Sequence, residues 1–261
     1  MILDEIAEYT RHRVAMKKCL ITAKAMKEKA LALPKKTFAF EKALDKEGIS
    51  FICEVKKASP SKGIISEDFD YLKIAREYDK YGATCISVLT EPKYFLGDEK
   101  YLTEIKNCVS IPVLRKDFVV DEYMIYEARV IDADCVLLIC SLLDKETLVD
   151  YIKIADSLGL SALVEAHDEA EIEMAISAGA RIIGVNNRNL KTFDVDITNS
   201  GSLRHLVPEG VRFVAESGIK TRADVKALED MRVDAVIVGE TLMRSEDIKN
   251  EIRKLKGEVY E

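Results

Sequence analysis

Eight short runs rich in Val, Ile and Leu, separated by segments of helical spacing, restrict the folds open to this chain more than any other feature. They are FICEVK (51–56), TCISVLT (84–90), PVLRKD (112–117), DCVLLICS (134–141), LSALVEA (160–166), RIIGVNN (181–187), VRFVAES (211–217) and DAVIVGE (234–240). Continuous apolar runs describe strands buried on both faces, the habit of parallel sheets. The segments between them carry apolar residues at three- and four-residue spacing and several end in glycine, at Gly82, Gly159 and Gly179. Strand and helix alternating without a break predict an α/β fold with a parallel sheet, and eight such units favour closure into a (β/α)8 (TIM) barrel. The 261 residues fit one such domain of about 250 residues. No linker-like stretch divides them, so a single domain over 1–261 is expected. Residues 1–45 precede the first run and contain helically spaced Ile2, Leu3, Ile6, Val14, Leu20 and Ile21 before Pro34. They predict one or two extra helices that cap one end of the barrel.

The runs end in polar residues: Glu54 and Lys56, Lys116, Ser141, Glu165, Asn186, Glu216 and Ser217, and Glu240. In a barrel these C-terminal strand ends meet on one face, where active sites sit. A lone charge at a strand end is ordinarily a solvated terminator; this many acids, lysines and amides together point to a site. Side chains two apart in a strand share a face, so Glu54 and Lys56 project together, followed by the Ser59-Pro60-Ser61 and Gly63 loop, positioned to close over a ligand. Lys116 ends the third run, and a partly desolvated pocket would lower its pKa towards proton donation near neutrality. Arg115 alternates outward and reads as structural. Glu165 against apolar walls would have a raised pKa suited to acid/base work. Asn186 supplies a donor and an acceptor, and Arg188 a planar fork for anions. Ala215 to Ile219 and Val238 to Leu242 follow the last two runs. There Gly218 and Gly239 allow backbone N–H groups to approach a phosphate, as the final loops of many barrels do.

Taken in order, E-x-K-x-x-S-P-S, V-L-x-K-D-F, L-V-E, N-N-R-N-L, A-E-S-G-I and V-G-E-x-L-M resemble the indole-3-glycerol phosphate synthase family from the N-terminal extension to Met243. The resemblance implies ring closure and decarboxylation of 1-(2-carboxyphenylamino)-1-deoxyribulose 5-phosphate to indole-3-glycerol phosphate, CO2 and water, in tryptophan biosynthesis, with no metal or organic cofactor. It implies Lys116 as principal general acid and Glu165 as a second acid/base group. Lys56 would bind the substrate carboxylate and Glu54 orient the lysines. Asn186 and Glu216 would hold hydroxyl or amine groups, with Arg188 on the same rim. Ser59, Ser217, Gly218, Gly239 and the backbone N–H of Glu240 would bind the phosphate, and Phe95 and Phe118 flank the aromatic ring. Ala58 stands where some members carry a further lysine. A phosphoribosylanthranilate isomerase would share the phosphate loops without needing Glu54, Lys56, Lys116 and Glu165 together. A non-catalytic binder would need none of them.

Composition excludes other classes. A net charge of −7 argues against a nucleic-acid partner. The longest apolar run, Cys135 to Cys140, is far short of the roughly 20 residues of a membrane span. Asp4, Glu5 and Glu8 occupy the start where a secretory leader would be basic, which predicts a cytoplasmic chain, expected to be a monomer. The six cysteines lack C-x-x-C spacing and pair with none of the three histidines, so they read as buried apolar residues and not as metal ligands.

Overall fold

The computed structural model describes residues 2–188 and 194–258. Asn189 and Leu190, the end of the N-N-R-N-L motif, lie outside them. Eight strands close a parallel barrel: β1 (Ser50–Val55), β2 (Cys85–Leu89), β3 (Val113–Lys116), β4 (Cys135–Ile139), β5 (Ser161–Ala166), β6 (Ile182–Asn186), β7 (Arg212–Glu216) and β8 (Ala235–Val238). Each pairs with its sequence neighbours, and β1 pairs with β8 to complete the ring. All eight predicted runs are therefore strands.

Nearly every strand residue is buried, because one face lines the barrel and the other meets the helices. Ile52, Cys85, Leu114, Cys135, Leu163, Ile182, Val214 and Ala235 face inward as one apolar cluster. Their neighbours, such as Phe51, Ile86, Val136, Ile183 and Phe213, belong to the larger cluster beneath the helices. Helix starts follow the sequence. Outside the barrel lie α4 (Tyr71–Lys80), α5 (Glu99–Lys106), α6 (Tyr123–Val130), α7 (Lys145–Leu158), α8 (Glu169–Ser177) and α9 (Thr198–Leu203). Asp70, Asp144 and Asp168 cap α4, α7 and α8, each accepting a backbone N–H at 2.8–3.0 Å. Thr221 and Asp224 form a capping box on α10 (Arg222–Asp230).

The N-terminal extension departs from expectation. It forms three helices, α1 (Ile2–Leu20), α2 (Ala23–Ala32) and α3 (Ala39–Ala43), and serves both ends of the barrel. Phe40 of α3, with Leu44 after it, joins the inward-facing cluster and plugs the N-terminal mouth. Ile2, Leu3 and Ile6 of α1 line a cavity at the opposite mouth. Helical spacing reveals that such a segment buries a face, not which surface receives it.

Ion pairs hold α1 in place. Arg13 donates to both oxygens of Asp117 at 2.7 and 2.8 Å. Lys17 pairs with Glu99 and Glu127, and Lys18 with Asp121. Arg115, 1% exposed, faces outward as expected and meets Glu99 at 2.5 Å and Glu127 at 2.9 Å.

Phe40→Ala removes a fully buried ring far from the cavity. It should cost about 3–5 kcal/mol and lower Tm by about 10 °C. Turnover at 25 °C should stay within about twofold of the parent, because the plug and the cavity occupy opposite mouths; thermal melts paired with a turnover assay check both.

Candidate active site

The polar strand ends, except the exposed Ser141 in the turn after β4, meet in one cavity of about 540 Å3 at the C-terminal mouth of the barrel. Every candidate site residue named from the sequence lines it, from Glu54 on β1 to Glu240 after β8. Alternation along the strands explains this: Glu54, Lys116, Glu165, Asn186 and Glu216 continue the inward rows set by Ile52, Leu114, Leu163, Ile182 and Val214.

At the centre, Lys116 Nζ donates to Glu216 Oε2 at 2.6 Å and to Glu165 Oε2 at 3.3 Å. Asn186 Nδ2 donates to Glu165 Oε1 at 3.2 Å. Lys56 Nζ donates to Glu54 Oε1 at 2.5 Å, so these two, expected to project together, also pair. Glu216 Oε1 is buried and has no hydrogen-bond partner among the described residues. Room for that carboxyl comes from Gly184 on β6, where a Cβ would fall 2.3 Å from Oε1. Gly239 does the same for Glu54, whose Oε1 lies 2.6 Å from where a Cβ would be.

Two flanks surround this centre. On one, the rings of Phe95 and Phe118 stand 5.8 Å apart, beside Leu89, Ile139 and α1. On the other, Ser59, Ser217, Gly218, Gly239 and Glu240 lie beside the cations Lys62, Arg188, Lys220 and Arg244. Ser217 and Gly218 both adopt left-handed backbone, at φ 67° and 85°, which folds the chain tightly after β7. The Glu240 carboxylate is engaged by Arg244 at 3.1 Å and Lys62 at 3.7 Å. The Ser59 loop is a small hairpin, Ala58–Ser59 against Gly63–Ile64.

The electrostatics reverse two expectations. Burial works against a charge on Lys116, but Glu216, Glu165 and Glu54 outweigh it and hold the ammonium well above its ordinary range instead of lowering it. Burial likewise pushes Glu165 up, yet Lys116, His167 and Asn186 prevail and keep it far below the usual carboxylate range. The elevated acid is Glu216, raised by burial and by Glu165 and Glu54 against Lys116 to about 7.

Comparison with known proteins agrees with this geometry. Residues 3–255 match the indole-3-glycerol phosphate synthase family. The chain is 60% identical over 258 residues to the indole-3-glycerol phosphate synthase of Ruminiclostridium cellulolyticum, spanning 98% of this chain and 99% of that one. It is 57% identical to that of Endomicrobium trichonymphae over 98% of this chain and all of the other.

The chain belongs to the indole-3-glycerol phosphate synthase family.

The family's members are carboxy-lyases of tryptophan biosynthesis, and this sets aside the isomerase and the non-catalytic binder as alternatives. The 3-hexulose-6-phosphate synthase of Salmonella typhimurium shares the fold, with a TM-score of 0.66 at 18% identity over 80% of this chain and 97% of its own.

Some cavity residues were not legible in the motifs that identify an indole-3-glycerol phosphate synthase. Lys62 and Lys220 sit inside or beside those motifs, and Arg244 lies one turn beyond Glu240, so their positions carried a signal. Ile2, Leu3 and Ile6 carried none.

Glu216→Gln tests the charge assignment. Below the ordinary carboxyl value of 4.5, Glu216 is protonated both folded and unfolded, so wild type and variant should differ least. Between 4.5 and about 7 the unfolded chain ionises Glu216 while the folded protein keeps it protonated, so wild type loses stability as pH rises through that window. The variant's Tm should therefore gain on wild type between about pH 5 and 7 and level off above, read by thermal melts across that range. A constant Tm difference would show that Glu216 does not titrate there.

Proposed function

We propose that, in catalysing ring closure and decarboxylation of 1-(2-carboxyphenylamino)-1-deoxyribulose 5-phosphate, this chain divides the work as follows. Lys116 is the general acid. The aryl carbon bearing the carboxylate bonds to the ketone carbon while Lys116 protonates the ketone oxygen. CO2 then departs, and its bonding pair restores the aromatic ring. Lys116, recharged by one proton from solvent, protonates the new hydroxyl, which leaves as water, and Glu165, held ionised, accepts the last C–H proton. A substrate entering as carboxylate thus consumes one proton per turnover.

The observation that carries this reading is the contact of Lys116 Nζ with both Glu216 and Glu165 in a cavity that also holds the paired rings of Phe95 and Phe118. The raised proton affinity of Lys116 keeps it a charged donor until the ketone oxygen becomes basic. Glu165 lies 3.3 Å from Lys116, close enough to return the proton it collects. Glu216 holds a substrate hydroxyl or amine with Oε1, its unpartnered oxygen, and Asn186 supports the same group. Lys56, oriented by Glu54, binds the substrate carboxylate, and the rings of Phe95 and Phe118 flank the anthranilate. Ser59, Ser217, Gly218, Gly239 and the Glu240 N–H bind phosphate, with Arg188, Lys62, Lys220 and Arg244 supplying positive charge.

The same reading makes the chain a one-domain monomer of the cytoplasm that binds neither nucleic acid nor membrane. Its own α1 completes the cavity wall, so no second copy is required. All six thiols are free, as a reducing compartment keeps them. No described helix is long and apolar enough to cross a membrane.

Lys116→Ala should still fold and lose at least about a hundredfold in turnover, followed by the fluorescence of the indole product. Near-normal turnover would remove Lys116 from the mechanism.

A further inference from the structure

His167 follows β5 and precedes the cap of α8, two residues beyond Glu165. It does not line the cavity. Its ring is nonetheless fixed from both sides. Nδ1 lies 3.0 Å from Glu171 Oε2, and the same oxygen accepts the His167 backbone N–H at 2.8 Å. Glu171 is itself anchored, its N–H donating to the Asp168 cap at 2.9 Å. This clamp aims Nε2 at Glu165 Oε1, 3.3 Å away. Nε2 is buried and forms no hydrogen bond with that oxygen or with any other partner among the described residues.

A buried ring nitrogen held against one carboxylate oxygen, without a formed hydrogen bond, is an arrangement that a small movement of Glu165 would complete. We infer that His167 is a positioning residue for Glu165: an imidazolium clamped by Glu171 that holds the Oε1 edge of the carboxylate and leaves Oε2 to Lys116 and the substrate. The inference rests on the reading of Glu165 as an acid/base group.

The surrounding charges fit. Burial disfavours the imidazolium, but Glu165 and Glu171 outweigh it and raise His167 to about 10. The other groups facing Glu165 are Lys116 from β3, Asn186 from β6 and Glu216 from β7, with Glu54 of β1 acting on Lys116 and Glu216. Near His167 lie Glu171 and Asp168 at the start of α8, and Cys140, whose thiol is pushed up to about 12 by burial and then by Glu171, Glu165 and Asp168. His167 is thus a cation beside Glu165 that reaches it from outside the cavity. Removing it raises the proton affinity of Glu165 without touching a substrate contact.

The test is kcat and KM for wild type, His167→Phe and His167→Gln, each also combined with Glu165→Gln. His167→Phe should lower kcat roughly tenfold with KM within about twofold. His167→Gln, whose amide can donate to Oε1, should recover most of kcat. In the Glu165→Gln background, His167→Phe should change kcat by less than about twofold. Wild-type kcat in His167→Phe would overturn the inference. So would an undiminished loss in the Glu165→Gln background. Full activity of Glu165→Gln alone would instead overturn the role of Glu165.

Discussion

Three buried carboxyls, Glu54, Glu165 and Glu216, crowd Lys116 at the centre of the cavity, and the uneven sharing of cations among them governs the rest of the site. Lys56 pairs with Glu54, and Lys116 and His167 with Glu165, so the carboxyl with the least support retains a proton near neutrality. Position decides which one. Glu165 has His167 and Asn186 in addition to Lys116, whereas Glu216 has Lys116 alone and one oxygen without a partner. The same excess of negative charge keeps Lys116 protonated. The proton affinities of the cluster are thereby set apart before any substrate arrives.

The other side of the same strand offers a contrast. Arg115, adjacent to Lys116 but facing out, joins Arg13 and Lys17 against Asp117, Glu99 and Glu127. Three cations meet three carboxylates, and the network holds α1 against the barrel. One strand therefore contributes a closed ionic lock on its outer face and an open, proton-rich cluster on its inner face. The alternation of a β-strand separates the two by a single residue. Because α1 also walls the cavity, the lock and the site depend on each other.

The fold could be read from the sequence because a strand buried on both faces needs a continuous apolar run, and the chain has eight. Most of the cavity lining could be read because nearly every run ends in polar residues and barrel closure gathers those ends. The sign of the proton affinities could not. Glu216 lies 100 positions from Lys116, and Glu165 lies 49 from it, so their balance is set by packing between distant strands. An isolated lysine in an apolar pocket would indeed be lowered; Lys116 is not isolated. The destination of α1 was illegible for a related reason, since an amphipathic helix does not encode its receptor surface. The void at Gly184 was hidden too, because the residue fills a strand run like any other and only the neighbouring Glu216 shows why a side chain is excluded.

The cluster carries one proton more than ordinary carboxyl chemistry would give it, and that proton resides on Glu216. Carbon-13 NMR of protein labelled at glutamate δ-carbons, with Glu216→Gln to assign the resonance, measures this directly in the unliganded protein. Glu216 should titrate near pH 7 while Glu165 stays ionised through the whole ordinary carboxylate range. Titration of Glu216 near 4.5, the value of an unperturbed glutamate, would contradict this assignment.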